Sequence, residues 1–445
     1  MLGEYRIEGR RAAEIAASVE RGVGSGELEP GRLLPPLRAL ADELGVNPNT
    51  VAAAYRTLRE RGVIETAGRR GSRVRRRPAT TPREAIGVEV PEGVRNLSQG
   101  NPDPALLPPL DAALTAAAHR HGRRPTLYGA PALTDDLVRL ARAAFDADGV
   151  PPGPVAATSG SLDAIERVLA VHLKPGDAVA VEDPGWGSLL DLVPALGLKA
   201  LPVPLDDDGP LPDAVERALR QGARALVVTG RAQNPTGAAV SAPRARELRR
   251  VLAAHPGVLL VEDDHGHGIV DLPLHPLAAG EPTDHWVLVR STAKAYGPDL
   301  RLAVLTGDAV TVDRVRGRQR LGPGWVSHLL QHTVTALWEG RAVDPAAVAA
   351  SYGRRRTALL DALAGHGVEA HGRSGMNVWV PVPDETGAVT RLLQAGWAVA
   401  PGARFRIASP PGIRLTVSAL SEDETGPVAD AVAAAVRPGE ARRYG

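Results

Sequence analysis

At 445 residues, with 44% hydrophobic and 23% charged side chains, the chain is long enough for two or three packed domains and too apolar for wholesale disorder. It contains no cysteine, which excludes disulfides, thiolate catalysis and cysteine-ligated metals. Net charge is only +1, yet residues 1–77 carry 15 Arg against 10 acidic residues, so a +5 head precedes a −4 remainder and predicts a polyanionic partner for the head.

No apolar run approaches the ~20 residues that span a bilayer. Residues 1–10 are charged where a signal peptide would be apolar. A cytoplasmic protein with no membrane partner is expected.

From Arg10 to about Arg21, Ala13, Ile15, Ala16 and Val19 recur at helical spacing, and Gly22 to Gly31 reads as a break. A second helix is predicted from Leu37 to Leu44, ending at Gly45. A third begins with Asn47 as N-cap and Pro48 in its first turn and runs to about Arg61. Together they read as a helix-turn-helix, with Leu37, Leu40, Leu44, Val51, Ala54 and Leu58 as its core. Val63 to Thr66 and Ser72 to Val74 flank a turn and form a hairpin wing. Residues 1–77 are thus a DNA-binding domain, and residues 78–97 lack periodicity and read as a linker.

Strands and helices alternate from residue 98 to about 440. Strands are predicted at Ala178 to Val181, Ala225 to Thr229, Val258 to Glu262 and Trp286 to Val289. Helices include Ser161 to His172 and Pro243 to Ala254. The pattern predicts an α/β body with a mainly parallel sheet covered on both faces. Residues 345–440 form a smaller α+β subdomain.

The stretch Leu44-Gly-Val-Asn-Pro-Asn-Thr-Val51, with the wing Gly68-Arg-Arg-Gly-Ser-Arg-Val74, resembles the GntR-type winged helix. A recognition helix starting at Asn47 presents Asn49, Thr50 and Tyr55 toward a major groove, where short polar groups bond bases or phosphates. The resemblance adds Arg38 on the preceding helix. Arg69, Arg70 and Arg73 charge the wing for a backbone or minor-groove contact.

Only three lysines occur in the chain, Lys174, Lys199 and Lys294. Lys294 follows a predicted strand in Ser291-Thr-Ala-Lys-Ala-Tyr-Gly-Pro-Asp-Leu-Arg301. A lysine there can form a Schiff base with an aldehyde, and Ser and Arg can bind a phosphate. The body resembles the fold-type I aminotransferases that bind pyridoxal 5′-phosphate. Head and body together resemble the MocR subfamily of GntR regulators.

That resemblance makes Lys294 the internal aldimine, with Ser291, Arg301 and the backbone of Gly160, Ser161 and Leu162 on the phosphate. Trp186 stacks on the pyridine ring and Asn234 bonds its 3′-oxygen. Asp263, preferred to Asp264 by motif alignment, meets the pyridine nitrogen. His265 stands where the family more often has Tyr, and still donates to the 3′-oxygen. Arg414 clamps an α-carboxylate, with Asn377 at the same pocket. Arg404 and Arg406 read as surface. Tyr128 reaches the phosphate of a neighbouring subunit, which implies a homodimer with shared sites. No carboxylate–His helical spacing supports a metal at His265, His267 and His275, so no metal is expected.

The function implied is a regulator that senses pyridoxal phosphate, or an amino compound, through the Lys294 aldimine and binds an operator with two half-sites. The His variant favours a member linked to vitamin B6 over one answering to γ-aminobutyrate. The alternative is an active aminotransferase with a DNA-binding appendage.

Overall fold

The computed structural model describes residues 5–25, 27–29, 31–60, 63–66, 71–74, 82–86 and 89–436. Two compact units emerge. One comprises the chain up to Pro82 with the short stretches 174–177 and 192–199, and the other comprises the remainder.

The head has three helices, α1 (Ala12–Ser25), α2 (Leu37–Leu44) and α3 (Pro48–Glu60), and an antiparallel hairpin of β1 (Ile64–Thr66) and β2 (Ser72–Val74). Its core gathers Ile15, Val19, Leu28, Leu40, Val51, Tyr55, Leu58, Ile64 and Val74. The expected break at Gly22 does not occur, and α1 continues to Ser25. A Cβ at Gly22 would lie 2.6 Å from Tyr5 Cε1 and 2.9 Å from Leu28 Cδ1, so glycine here permits close packing and does not end the helix. Leu37, expected in the core, is 37% exposed at the first position of α2.

The body opens with β3 (Arg95–Asn96), α4 (Asp111–Arg123) and α5 (Asp135–Ala147). The alternating region follows: β4 (Val155–Thr158), α6 (Ser161–His172), β5 (Ala178–Glu182), α7 (Gly187–Ala195) and β6 (Lys199–Val203). Next come the hairpin β7 (Leu205–Asp206) and β8 (Gly209–Pro210), then α8 (Pro212–Arg220), β9 (Ala223–Thr229) and α9 (Ala242–Ala253). β10 (Leu259–Asp264), β11 (His285–Ser291), the short α10 (Ala293–Tyr296), β12 (Ala303–Gly307), α11 (Ala309–Arg320) and α12 (His328–Glu339) complete it.

The main sheet has seven strands in the order β4-β12-β11-β10-β9-β5-β6. β5, β9, β10 and β11 are parallel neighbours, and β12 runs antiparallel to both β11 and β4. Every residue of β10 is buried, as an apolar strand covered on both faces requires. Its run ends in acidic residues at the carboxyl edge, where ligands bind in open α/β sheets.

The smaller subdomain contains α13 (Pro345–Gly365), β13 (Asn377–Pro381), α14 (Glu385–Gln394), β14 (Trp397–Ala398), β15 (Ala400–Pro401), β16 (Gly412–Thr416) and α15 (Thr425–Val436). A three-stranded sheet runs β13-β16-β15, and β14 pairs in parallel with β3. Residues 83–97, expected as linker, therefore hold an ordered turn at Arg83–Ala85 and a paired strand. Among the described residues no helix is long and apolar enough to cross a membrane.

Candidate functional site

The parallel strands finish at one edge of the sheet, and the loops leaving them bound one cavity of about 320 Å³. Its lining includes Gly160, Ser161, Leu162, Trp186, Asn234, Asp263, His265, Ser291, Lys294 and Arg301. Ten residues picked from separate stretches of sequence thus meet in one place. Asn377 lies in an adjoining cavity of about 30 Å³, shared with Gly100, Asn234, His265 and Lys294.

Lys294 sits on α10, and its Nζ donates to the Gly100 carbonyl. Burial, reinforced by the nearby Arg414 cation, lowers its pKa to about 8. Gly160 caps α6 with φ +107°, and a Cβ there would lie 2.9 Å from Arg301 Nη2. Arg301 itself adopts φ +43°, and its Nη2 donates to the Ser159 carbonyl at 2.8 Å. Ser161 Oγ is buried with no hydrogen-bond partner among the described residues.

Alternation along β10 sends its two terminal acids apart. Asp263 lines the cavity; its Oδ2 lies 3.0 Å from His265 Nδ1, and its Oδ1 is buried without a partner. Asp264 is held by Arg231 at 2.8 and 3.1 Å and by Arg290 at 3.0 Å. Burial would raise its pKa, but the Arg290 and Arg231 cations outweigh it and hold the carboxyl well below its ordinary range. Asp148, Asp264 and His267 do present ligand atoms within 4.8 Å of one another, but these guanidiniums already occupy both carboxylates.

His265 departs from expectation. Its Nε2 faces the Ala232 carbonyl at 2.7 Å and its Nδ1 faces Asp263, so both ring nitrogens are committed and neither is left for a 3′-oxygen. Two acceptors on one imidazole call for two N–H groups, which only the cation carries. Burial opposes that charge, yet Asp263 and the Ala232 carbonyl raise the pKa above the ordinary value.

Arg414, on β16, donates to Asn234 Oδ1 at 2.9 Å and to the Ser98 carbonyl at 2.6 Å, while its Nε has no partner. Asn377 Oδ1 accepts from Thr416 Oγ1 at 3.0 Å. Arg404, expected on the surface, is half-buried and reaches the same Ser98 carbonyl; Arg406 pairs with Glu385 at 3.1 Å. Tyr128 stands apart from the cavity, 94% exposed, with its ring against Trp325. The backbone carbonyls of Ser98, Gly100 and Ala232 carry no signature in the side-chain sequence.

In the head, Arg38, Asn47 and Asn49 are exposed and Thr50 is half-exposed. Asn47 Oδ1 accepts from the Asn49 N–H at 2.8 Å and caps α3. Tyr55 is no surface residue. It is 1% exposed, and its hydroxyl donates to the Pro35 carbonyl at 2.9 Å. Helical spacing with Val51, Ala54 and Leu58 turns it inward, and Arg56 takes the outward place beside Asn49. Arg73 pairs across the hairpin with Glu65 at 2.6 Å. Arg69 and Arg70 lie outside the described residues.

Residues 11–74 match the gntR family of bacterial regulatory proteins, and residues 92–432 match the class I and II aminotransferases. The vitamin B6 salvage pathway transcriptional repressor PtsJ of Salmonella typhimurium is 39% identical over 432 residues, covering 95% of this chain and 98% of that relative. The chain belongs to the MocR group of GntR regulators. The pyridoxine biosynthesis regulator PdxR of Corynebacterium glutamicum is 30% identical over 66% of this chain and 65% of its own. The aspartate aminotransferase of Thermus thermophilus, solved with maleate, superposes with a TM-score of 0.67 at 26% identity, covering 77% of this chain and 91% of that one. As a MocR-type chain it is a DNA-binding transcriptional regulator whose cofactor is pyridoxal 5′-phosphate.

Proposed function

We propose that this regulator binds pyridoxal phosphate in the Lys294 cavity and answers there to pyridoxal phosphate itself or to an amino compound of vitamin B6 metabolism. One observation carries the reading. Asp263 Oδ1 and Ser161 Oγ are buried and unpartnered in the cavity that Lys294 enters, and they suit a protonated pyridine nitrogen and a phosphate.

When bound, the cofactor supplies an aldehyde that condenses with amines and a ring that withdraws electrons. The residues divide its binding between them. Lys294 Nζ offers the amine, and its lowered pKa keeps a large neutral fraction near pH 8. Asp263 Oδ1 holds a proton on the pyridine nitrogen, and the His265 cation fixes Asp263. The N-terminus of α6, at Gly160, Ser161 and Leu162, with Ser291 and Arg301, holds the phosphate. Trp186 covers one ring face and Asn234 its oxygen edge. Arg414 and Asn377 receive the effector.

Tyr128, with Leu127 beside it 70% exposed, supports an edge that faces a second subunit, so the working form is a cytoplasmic homodimer with shared sites. Its heads, residues 1–77, engage two half-sites through Arg38, Asn49, Thr50 and Arg56. The vitamin B6 role of the 39% identical relative supports the effector class.

The test is titration of pyridoxal phosphate into the full chain and its Lys294→Ala variant, read by absorbance and by binding to the promoter upstream of its own gene. Cofactor-dependent DNA affinity in the wild type alone is expected. Equal responses of the two proteins would overturn the reading, and rapid transamination of a common amino acid without DNA affinity would replace it with the enzyme.

A further inference from the structure

The chain crosses from linker to body along a strap bonded on two sides. Residues 83–86 form one 3-10 turn and its exit. On the α7 side, the Arg83 N–H donates to Asp191 Oδ2 at 2.7 Å, its guanidinium lies 3.2 Å from Asp191 Oδ1, and Ser188 Oγ donates to Glu84. On the side of the 402–406 turn, Arg83 Nη1 donates to the carbonyls of Ala403 at 3.1 Å and Arg406 at 3.0 Å, and Arg404 Nε donates to the Ile86 carbonyl. All three elements meet at Gly187, where a Cβ would lie 2.7 Å from the Arg404 carbonyl and 3.4 Å from Arg83 Cβ. Gly187 follows Trp186, and both Trp186 and Ser188 line the cofactor cavity.

Arg404 links this strap inward. Its Nη1 reaches the Ser98 carbonyl at 3.4 Å, the same oxygen that accepts from Arg414 Nη2 at 2.6 Å. Two guanidiniums share one neutral acceptor, and among the described residues neither has a carboxylate within ion-pair distance. Burial, then the neighbouring Arg404 cation, pushes the Arg414 pKa down to about 9. Glu84, in the strap, acts on both cations from beyond ion-pair distance, so neither guanidinium is bonded to a carboxylate.

We propose that Arg404 is a second anion-binding residue of this site, and that a carboxylate taken jointly by Arg414 and Arg404 releases the strap 83–86. The inference rests on the assignment of Arg414 to effector binding. A carboxylate offers two charged acceptors to planar guanidiniums and displaces a shared carbonyl. Turning Arg404 toward it breaks the bond to Ile86 and shifts the turn whose carbonyls hold Arg83. The strap is the first described stretch of chain after the hairpin of the head, so occupancy of the anion pair reaches the covalent connection to the DNA-binding domain.

Hydrogen exchange of the full-length, cofactor-loaded protein tests this, with maleate as the anion because it has carboxylates and no amine. Saturating maleate should speed exchange of amides 83–86 by about tenfold or more. Arg404→Gln should exchange fast without maleate and gain nothing from it. Gly187→Ala, which alters no charge, should also show a fast strap. A strap rate unmoved by maleate, whether or not maleate binds, or an Arg404→Gln variant that responds like wild type, overturns the proposal. Failure of the chain to load pyridoxal phosphate would sink the earlier reading instead, and the strap test can still be read on the cofactor-free chain.

Discussion

Asp263 turns one carboxylate oxygen to His265, 3.0 Å from its Nδ1, and leaves the other buried and unpartnered in the cavity. The imidazole is in turn fixed from behind by the Ala232 carbonyl at 2.7 Å, so a backbone oxygen orients, through His265, the acid proposed to meet the cofactor.

This relationship gives the protein a pH signature. Burial lowers the His265 pKa, but Asp263 and the Ala232 carbonyl bring it above the ordinary 6.5. A basic group whose folded pKa is raised adds stability that is whole below its unfolded pKa and vanishes as pH rises through the folded value. The loss of Tm in His265→Gln should therefore be largest near pH 6 and shrink toward pH 9. A Tm difference independent of pH would show a neutral ring.

Cofactor loading should depend on pH in the opposite sense. Lys294 attacks an aldehyde only as the neutral amine, and its pKa is about 8. The association rate of pyridoxal phosphate with the cofactor-free protein should fall about tenfold for each pH unit below 8 and level off above it. Stopped-flow absorbance measures this directly.

Neighbouring acids should give unlike variants. Asp263→Asn should leave the fold intact and raise the Kd for pyridoxal phosphate by about tenfold or more, the scale of a lost hydrogen bond to a charged group. Asp264→Asn abandons two buried guanidiniums, Arg231 and Arg290, and should cost about 3–5 kcal/mol of stability by denaturant titration.

Two residues adjacent on α3 should likewise separate stability from recognition. Tyr55→Phe deprives the Pro35 carbonyl of its donor and should cost the head about 1 kcal/mol while leaving DNA affinity at saturation unchanged. Arg56→Ala should keep stability and weaken DNA binding, with the slope of log affinity against log salt falling by about 1.

The contrast between these pairs marks what was legible in the sequence. Lys294, Arg301 and Asp263 stand next to strand ends, where few side chains have the required chemistry; motif alignment chose Asp263 over Asp264, and the period of two explains why only one of them faces the cavity. Tyr55 was legible too, because its spacing from Val51, Ala54 and Leu58 points inward, but its polar hydroxyl suggested a surface role. The partners of His265, Lys294 and Arg414 were not legible, because they are main-chain carbonyls of Ala232, Gly100 and Ser98, and every residue type has one. The strap was hidden for a similar reason. Three of its bonds end on backbone oxygens, and residues 83–86 show neither helical nor strand periodicity.

Asp183 joins the loop that carries Trp186 to the segment 407–409, accepting from the N–H groups of Ile407, Ala408 and Ser409 at 2.7–2.8 Å and from Ser409 Oγ at 2.8 Å. Four donors converge on one carboxylate that is 3% exposed, so parting these two stretches would cost it four hydrogen bonds at once. Any breathing of the smaller subdomain must pivot about this clasp and leave it closed. Widening the site for a bulkier effector has to come from the Arg404 and Arg414 side, since the Asp183 side acts as the axle.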